Sequence, residues 1–288
     1  MFVKVNDARL FFDIEGAKLV PDGSTMKERP TVLLLHGGPG LDHTSFKPAF
    51  SAISNIAQLI YLDQRGHGRS DRGSPDQWSL AQWADDVREF CGMLGVERPV
   101  VLGTSFGGYV AMEYAIRYPD HPSRLILIST ALRGTAVPAR RRNVLEAFER
   151  IAGVEAREVV RRAFDERTPQ AFAEYLRVCG PRYTRNRPDP EAAKRCIRND
   201  EIVPYFERPG GEGAVFDLED RMAGVCCPTL LMGGEIDPIT PITEQEVIAN
   251  SLSPGLVQFE RFANCGHGIF RDDPERMFRV ITDFLLSA

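Results

Sequence analysis

The chain has 288 residues, 43% of them hydrophobic, and its 35 Lys and Arg against 40 Asp and Glu give a net charge of −5. That length and hydrophobic content can form a sizeable core, so we expect one domain with an insertion. With this balance the chain has no global excess of positive charge to bind phosphates, so we expect no nucleic-acid partner. There is no signal-peptide pattern and no apolar run near the ~20 residues of a membrane span. The six cysteines are scattered and lack Cys-x-x-Cys spacing, which is typical of reduced cysteines. We therefore expect a cytoplasmic protein with no membrane partner.

Short apolar runs that alternate with helical patterns predict a mainly parallel sheet flanked by helices. The run at 31–35 is uninterrupted, as in a strand covered on both faces. Similar runs lie at 9–14, 58–62, 99–102, 125–128, 229–232 and 257–259. Helical spacing occupies 80–94, 106–118, 244–251 and 274–286. The alternation indicates βαβ units and therefore an α/β fold.

The alternation lapses in the middle of the chain, where charged helical segments at 144–148 and 159–164 appear without convincing strands. We interpret 133–224 as a helical cap domain inserted after the sixth strand. The core is then formed by 1–132 and 225–288. Gly134 marks one boundary and a Cys-Cys-Pro sequence marks the other, because glycine and proline interrupt regular elements.

Ser105 is the predicted nucleophile. It lies in Gly-Thr-Ser-Phe-Gly at 103–107, directly after one apolar run and directly before a helical pattern. A strained strand-to-helix turn of this kind projects the serine hydroxyl, and small flanking residues prevent a clash. The same motif in arbitrary surroundings is an ordinary loop, so the strand before it and the helix after it carry the prediction.

A serine hydroxyl needs a base at neutral pH, and His267 is the predicted base. It lies on a glycine-flanked loop between the last strand and the last helix, and loops at the carboxyl ends of parallel strands converge on one crevice. His36, His67 and His121 are interpreted as structural from their places at a strand end, in a tight turn and after a helix. His43 is interpreted as a substrate-binding residue at the mouth of the site.

The carboxylate that orients the base should follow another strand and precede the histidine in the chain. Asp237 fits this order, because it comes shortly after the run at 229–232. As an acceptor it would fix the imidazole tautomer and stabilise the imidazolium. Glu235 is the local alternative.

Two backbone amides are predicted to stabilise the oxyanion, namely those of Gly38 in the His-Gly-Gly-Pro-Gly sequence at 36–40 and of Phe106 after the nucleophile. The alternative for the glycine loop is a tight turn. The polar turn at 63–70 is interpreted as structural, with Asp63 and Arg65 fixing loops by hydrogen bonds. No metal-ligand cluster stands out, so we predict neither a metal nor a cofactor.

Together, the glycine loop at 36–40, the turn at 63–70, the Ser105 elbow, Asp237 and the Gly-His pair at 266–267 resemble the α/β-hydrolase superfamily over nearly the whole chain. Within it, the two loop sequences look like the proline iminopeptidase group, which carries a helical cap. The resemblance implies release of an N-terminal residue, often proline, from short peptides or amides.

The sequence departs from that group where the substrate ammonium is bound. Members hold this cation with carboxylates, one in the cap and, in some, one directly after the triad aspartate, where this chain has Pro238. Glu207 is the candidate substitute for the cap carboxylate. We therefore predict a serine hydrolase that cleaves an amide or ester bond of a small molecule.

Three alternatives to the proline iminopeptidase-like function stay open. The same scaffold serves carboxylesterases or lactonases and C–C bond hydrolases, because the fold does not select the substrate. The third is a receptor that binds a ligand in the hydrolase pocket without turnover. The sequence leaves open whether the chain forms homo-oligomers.

Overall fold

The fold is that of a computed structural model, which describes residues 1–186 and 190–287. Its strands are, in chain order, β1 (Phe2–Val5), β2 (Ala8–Glu15), β3 (Leu19–Asp22), β4 (Thr25–Glu28), β5 (Thr31–Leu35), β6 (Gln58–Leu62), β7 (Val100–Thr104), β8 (Arg124–Ile128), β9 (Thr229–Gly234) and β10 (Val257–Phe262). Eight of them form one sheet in the order β1-β2-β6-β5-β7-β8-β9-β10. Strand β2 pairs antiparallel with both β1 and β6. The other neighbouring pairs of the sheet, which join β6, β5, β7, β8, β9 and β10 in that order, are parallel. The predicted mainly parallel sheet is confirmed.

The helices are α1 (Leu80–Met93), α2 (Phe106–Arg117), α3 (Pro138–Glu166), α4 (Pro169–Cys179), α5 (Pro190–Arg195), α6 (Ile202–Phe206), α7 (Glu212–Val215), α8 (Ile242–Ser251), α9 (Ile269–Asp272) and α10 (Pro274–Leu286). Each of the four helices predicted for the core is present. Helix α1 begins where the Ser79 hydroxyl accepts a hydrogen bond from the Gln82 amide, and the Asp273 carboxylate caps α10 in the same way.

The sheet is covered on both faces, as the apolar run of β5 indicates. Leu33 and Leu35 pack into one hydrophobic cluster with α1 and α2. Val32 and Leu34, which point the other way, pack into a second cluster with α10. Burial of alternate residues on opposite faces explains why the run has no polar interruption.

Helices α3 to α7 lie between β8 and β9, after the sixth strand of the main sheet. The segments 144–148 and 159–164 both fall within α3, whose path breaks at Gly153 (φ 86°, ψ 175°). Side chains of α3 and α4, including Phe148 and Tyr175, form a third hydrophobic cluster. The division into a core and a 133–224 cap domain stays a prediction.

Two N-terminal features were not predicted. Strand β1 has only four residues, too few to stand out as a pattern, and all four residues of β4 in the β3–β4 hairpin are exposed, so no hydrophobic period marks β4. Among the described residues, no helix has the length and apolar content needed to cross a membrane. The cytoplasmic location stays a prediction.

Candidate active site

Ser105 occupies a one-residue turn between β7 and α2, with φ 51° and ψ −119°. Positive φ is rare for a residue with a side chain and stores strain, as the predicted nucleophile elbow requires. Three hydrogen bonds to the backbone of Ser105 hold the turn. The Ser105 amide donates to Ile128 O at 3.0 Å, and its carbonyl accepts from the Gly108 amide at 2.9 Å and from Thr130 Oγ1 at 2.8 Å.

The glycines around Ser105 are required by close packing. A Cβ on Gly107 would lie 2.0 Å from Leu35 O, and one on Gly103 would lie 2.3 Å from Gly107 O. A Cβ on Gly108 would lie 2.3 Å from Thr130 Oγ1. Helix α2 therefore packs directly on the strand ends, which gives the Gly-x-Ser-x-Gly-Gly sequence a steric reason.

Asp237 and His267 are brought together from the ends of β9 and β10. His267 Nδ1 lies 2.9 Å from Asp237 Oδ2, and the side chains are 17% and 0% exposed, respectively. The buried carboxylate also accepts hydrogen bonds from the Ile239 and Thr240 amides at 2.8 and 3.0 Å and from Thr240 Oγ1 at 2.7 Å. These contacts fix the carboxylate, which in turn orients the imidazole and leaves Nε2 for chemistry.

Ser105 lies at the same edge of the sheet, because β7, β9 and β10 run in parallel and each residue follows its strand. In the described part of the chain, no hydrogen bond joins Ser105 Oγ to His267. Such contacts are often long in a ligand-free site and tighten when substrate binds. The role of Ser105 as nucleophile therefore stays a prediction, supported by its turn and its edge of the sheet.

The glycine loop runs beside the elbow. A Cβ on Gly37 would lie 3.5 Å from the Ser105 Cβ, and Gly38 has a φ of +142° that only glycine adopts readily. The Phe106 amide lies in the first turn of α2, where amides have no acceptor within the helix. The proposed oxyanion donors, Gly38 and Phe106, thus lie on the two segments that flank Ser105.

His43, predicted at the mouth of the site, is buried in the loop behind it. Its ring Nδ1 lies 2.7 Å from Asp63 Oδ1, its amide donates to the same oxygen at 2.9 Å, and the ring stacks on Phe11. These contacts use the ring for packing, and the substrate-binding role of His43 stays a prediction.

Glu207, the candidate cap carboxylate, follows α6 and is 25% exposed. Its Oε2 accepts hydrogen bonds from Arg167 Nη1 at 3.2 Å and from Thr135 Oγ1 at 3.1 Å. The neighbouring Phe206 ring contacts the Phe106 ring, at 5.8 Å between centroids. Glu207 therefore directly follows a residue whose ring contacts Phe106 of the elbow, but the guanidinium of Arg167 already pairs with its carboxylate.

The turn at 63–70 has the structural role predicted for it. Arg65 is buried and makes a bidentate pair with Asp86, through Nε at 2.7 Å and Nη2 at 2.8 Å. Asp63 accepts from the His43 and Arg69 amides. Burial alone would raise the pKa of Asp63, but the hydrogen bond from His43 keeps that pKa below its ordinary value.

The structural interpretation of His36 and His67 is also supported, because both rings are fully buried. Burial lowers the pKa of His36 below its ordinary value and that of His67 to about 3. Both imidazoles are therefore neutral at pH 7. Neither is placed to exchange protons with solvent.

Sequence reasoning missed three residues that support the site. Thr240 binds the Asp237 carboxylate, Thr130 binds the elbow, and Asp272 accepts from the Gly266 amide at 2.8 Å. The Asp-Pro sequence at 237–238 was a signal for the contact with Thr240, because aspartate often accepts hydrogen bonds from the amides two and three residues later. The other two contacts join distant segments and have no local signature.

Known proteins resemble this chain along most of its length. It is 28% identical over 279 residues to proline iminopeptidase PfmaB of Pestalotiopsis fici, with 94% of this chain and 95% of that protein covered. It is 26% identical over 271 residues to monoacylglycerol lipase ABHD6 of Mus musculus, with 90% and 76% covered. The crystal structure of proline iminopeptidase from Mycobacterium smegmatis superposes with a TM-score of 0.78 at 23% identity, covering 99% of this chain and 97% of that one.

These relatives include an amide and an ester hydrolase by name, so they share a fold and a reaction class more than a substrate. Residues 30–274 match the profile of the α/β hydrolase fold. That match covers most of the chain, and the strand order and strand-to-helix elbow described above agree with it. The chain therefore belongs to the α/β hydrolase fold family and is a hydrolase related to proline iminopeptidases and monoacylglycerol lipases.

Proposed function

We propose that the protein is a serine hydrolase that cleaves an amide or ester bond of a small molecule through an acyl-enzyme. The observation that carries this proposal is the strained turn of Ser105 at the sheet edge where Asp237 and His267 form their hydrogen bond. A nucleophile, a base and an orienting acid on three converging loops constitute the arrangement that acyl transfer needs.

In the proposed reaction, Ser105 Oγ attacks the carbonyl carbon of the substrate while His267 Nε2 takes the hydroxyl proton. The Gly38 and Phe106 amides stabilise the oxyanion of the tetrahedral intermediate, and each such donor contributes ~3 kcal/mol to transition-state binding. The intermediate collapses, the leaving amine or alcohol receives the proton from His267, and Ser105 keeps the acyl group. Water, deprotonated by His267, then releases the acid and restores the serine.

The first candidate substrate class is an aminoacyl amide with a free N-terminus. Its support is the resemblance of the two loop sequences and the similarity to proline iminopeptidase PfmaB. An ammonium in this pocket needs a carboxylate partner, because a desolvated cation is costly when unpaired. Glu207 is the residue we assign to that task.

A second candidate, an ester hydrolase without amine recognition, is favoured by the pairing of Glu207. Its carboxylate is already bound to Arg167 and Thr135, and Pro238 lies where some relatives of the first class place a second carboxylate. A substrate ammonium would therefore have to compete with a guanidinium. An uncharged acyl group meets no such competition.

One experiment tests the reaction class. Ser105→Ala should abolish turnover of 4-nitrophenyl butyrate and leave the far-UV circular dichroism unchanged, because the substitution removes only the nucleophile. A Ser105→Ala protein that hydrolyses this ester at the wild-type rate would rule out the proposed nucleophile.

A second experiment separates the substrate classes. Amine recognition predicts that prolyl 4-nitroanilide has a kcat/KM well above that of its N-acetyl derivative, and that Glu207→Gln lowers kcat/KM for the free amine alone. The ester candidate predicts hydrolysis of 4-nitrophenyl butyrate with no preference between the two anilides and no effect of Glu207→Gln.

A further inference from the structure

The loop that carries His267 is in direct contact with the segment 183–186, which lies within the predicted cap. The His267 amide donates to Tyr183 O at 2.6 Å, and the Tyr183 ring meets the imidazole edge-on at 6.2 Å between centroids. A Cβ on Gly266 would lie 2.3 Å from the same carbonyl oxygen. The position of the base is therefore set partly by a segment far from it in sequence.

The side chain of Asp272 forms hydrogen bonds with both the His267 loop and the segment 183–186. Asp272 is 5% exposed. Its Oδ2 accepts hydrogen bonds from the Gly266 amide at 2.8 Å and from the Arg185 amide at 3.1 Å. Oδ1 accepts from the Asn186 amide at 2.8 Å. One side chain thus bridges the loop of the base and the segment 183–186 through three backbone donors.

The chemistry of the three donors requires a carboxylate at this position. An ionised aspartate is only an acceptor, so its two oxygens satisfy three N–H groups at once. An asparagine has one acceptor oxygen, and its NH₂ group would face a backbone N–H. The isosteric change therefore makes at least one of the three backbone N–H groups face another donor, which weakens the bridge between the two segments.

We propose that Asp272 is a positioning residue that holds the His267 loop against the segment 183–186, so that the alignment of the imidazole depends on that segment. The kinetic part of this inference rests on the proposed role of His267 as base. Asp272 makes no hydrogen bond to the imidazole itself, so its action passes through the Gly266 amide and the Tyr183 carbonyl.

The test compares Asp272→Asn with Asp273→Asn. The control removes the same charge one residue away, where, among the described residues, the carboxylate accepts one longer hydrogen bond, from the Arg276 amide at 3.3 Å. With 4-nitrophenyl butyrate, Asp272→Asn should lower kcat about 10- to 100-fold and change KM little, since a base misplaced by about 1 Å costs rate rather than binding. The control should stay near wild type.

Two further measurements keep the inference testable if Asp272→Asn is unstable. Gly266→Ala disturbs the same junction from the other side by crowding Tyr183 O, and it should give the same fall in kcat with little change in KM. Hydrogen–deuterium exchange on full-length protein should show faster uptake in both 183–186 and 265–268 for Asp272→Asn, and in neither for Asp273→Asn.

The outcomes separate this inference from the proposed function. Unchanged uptake in 265–268, or a kcat for Asp272→Asn equal to that of the control, would overturn the positioning role whatever the nucleophile is. Retained activity of Ser105→Ala would instead overturn the proposed function, while the exchange result would still decide whether Asp272 couples the two segments.

Discussion

Substitution of Gly107 by alanine tests whether the elbow depends on direct contact between α2 and the strand ends. The new Cβ would lie 2.0 Å from Leu35 O, 2.6 Å from Leu35 C and 2.7 Å from His36 O, all of them backbone atoms. Ordinary contact begins near 3.4 Å, so the helix or the strand would have to retreat by about 1.4 Å. A core at crystal-like density resists such a shift.

The expected cost lies at the upper end of the range for overpacking, about 3 kcal/mol in the free energy of unfolding. For a chain of 288 residues that corresponds to a fall of roughly 5 °C in Tm. Because the same shift displaces Ser105, we also expect loss of esterase activity at a temperature where the variant is folded. Thermal melts followed by far-UV circular dichroism and an ester assay at 20–25 °C measure the two effects.

Gly180→Ala is the matched control. Gly180 has φ −52° and ψ −43°, which alanine adopts without strain, and its Cβ would meet nothing within 4 Å. We expect a change of at most about 0.5–1 kcal/mol, with stabilisation as the expected sign. A Gly107→Ala protein with the Tm and activity of this control would refute the reasoning about the elbow.

Two further predictions concern the orienting acid and a buried histidine. Asp237→Asn should lower kcat by roughly 10⁴-fold with a near-normal melting curve, because the wrong imidazole tautomer is favoured; a kcat within tenfold of wild type would assign the acid elsewhere. His67 takes up a proton below pH 6.5 when unfolded but only near its lowered pKa of about 3 when folded. The free energy of unfolding should therefore fall as the pH drops from 6.5 towards 3, by up to ~1.4 kcal/mol per pH unit from this residue. Urea unfolding at several pH values should give a shallower decline for His67→Gln, and parallel declines would contradict the assignment.

Much of the sheet could be predicted from sequence, because its central strands are buried on both faces. Strands β5 and β6 begin and end at the predicted residues, and the polar residues His36 and Asp63 follow their apolar runs. The β3–β4 hairpin could not be predicted in this way. Its stability comes from backbone pairing, and its exposed side chains carry no periodic signal.

The site was predictable where a local sequence determines a local shape. The strained turn of Ser105 follows from its glycines, and the fixed carboxylate of Asp237 follows from amides two and three residues later. The contact of His43 with Asp63 had no local signal in the sequence, because Asp63 follows β6, 20 positions further along the chain. Asp272 escaped notice for the same reason, since two of its three donors lie more than 80 residues away.

In the proposed reaction, His267, held by Asp237, activates Ser105. The rate at which a fluorophosphonate labels the protein, with the adduct mapped by mass spectrometry, measures this activation directly. We expect a single adduct on Ser105 and labelling at least about 1,000-fold slower in His267→Gln. An adduct on another residue, or equal labelling rates in the two proteins, would contradict it.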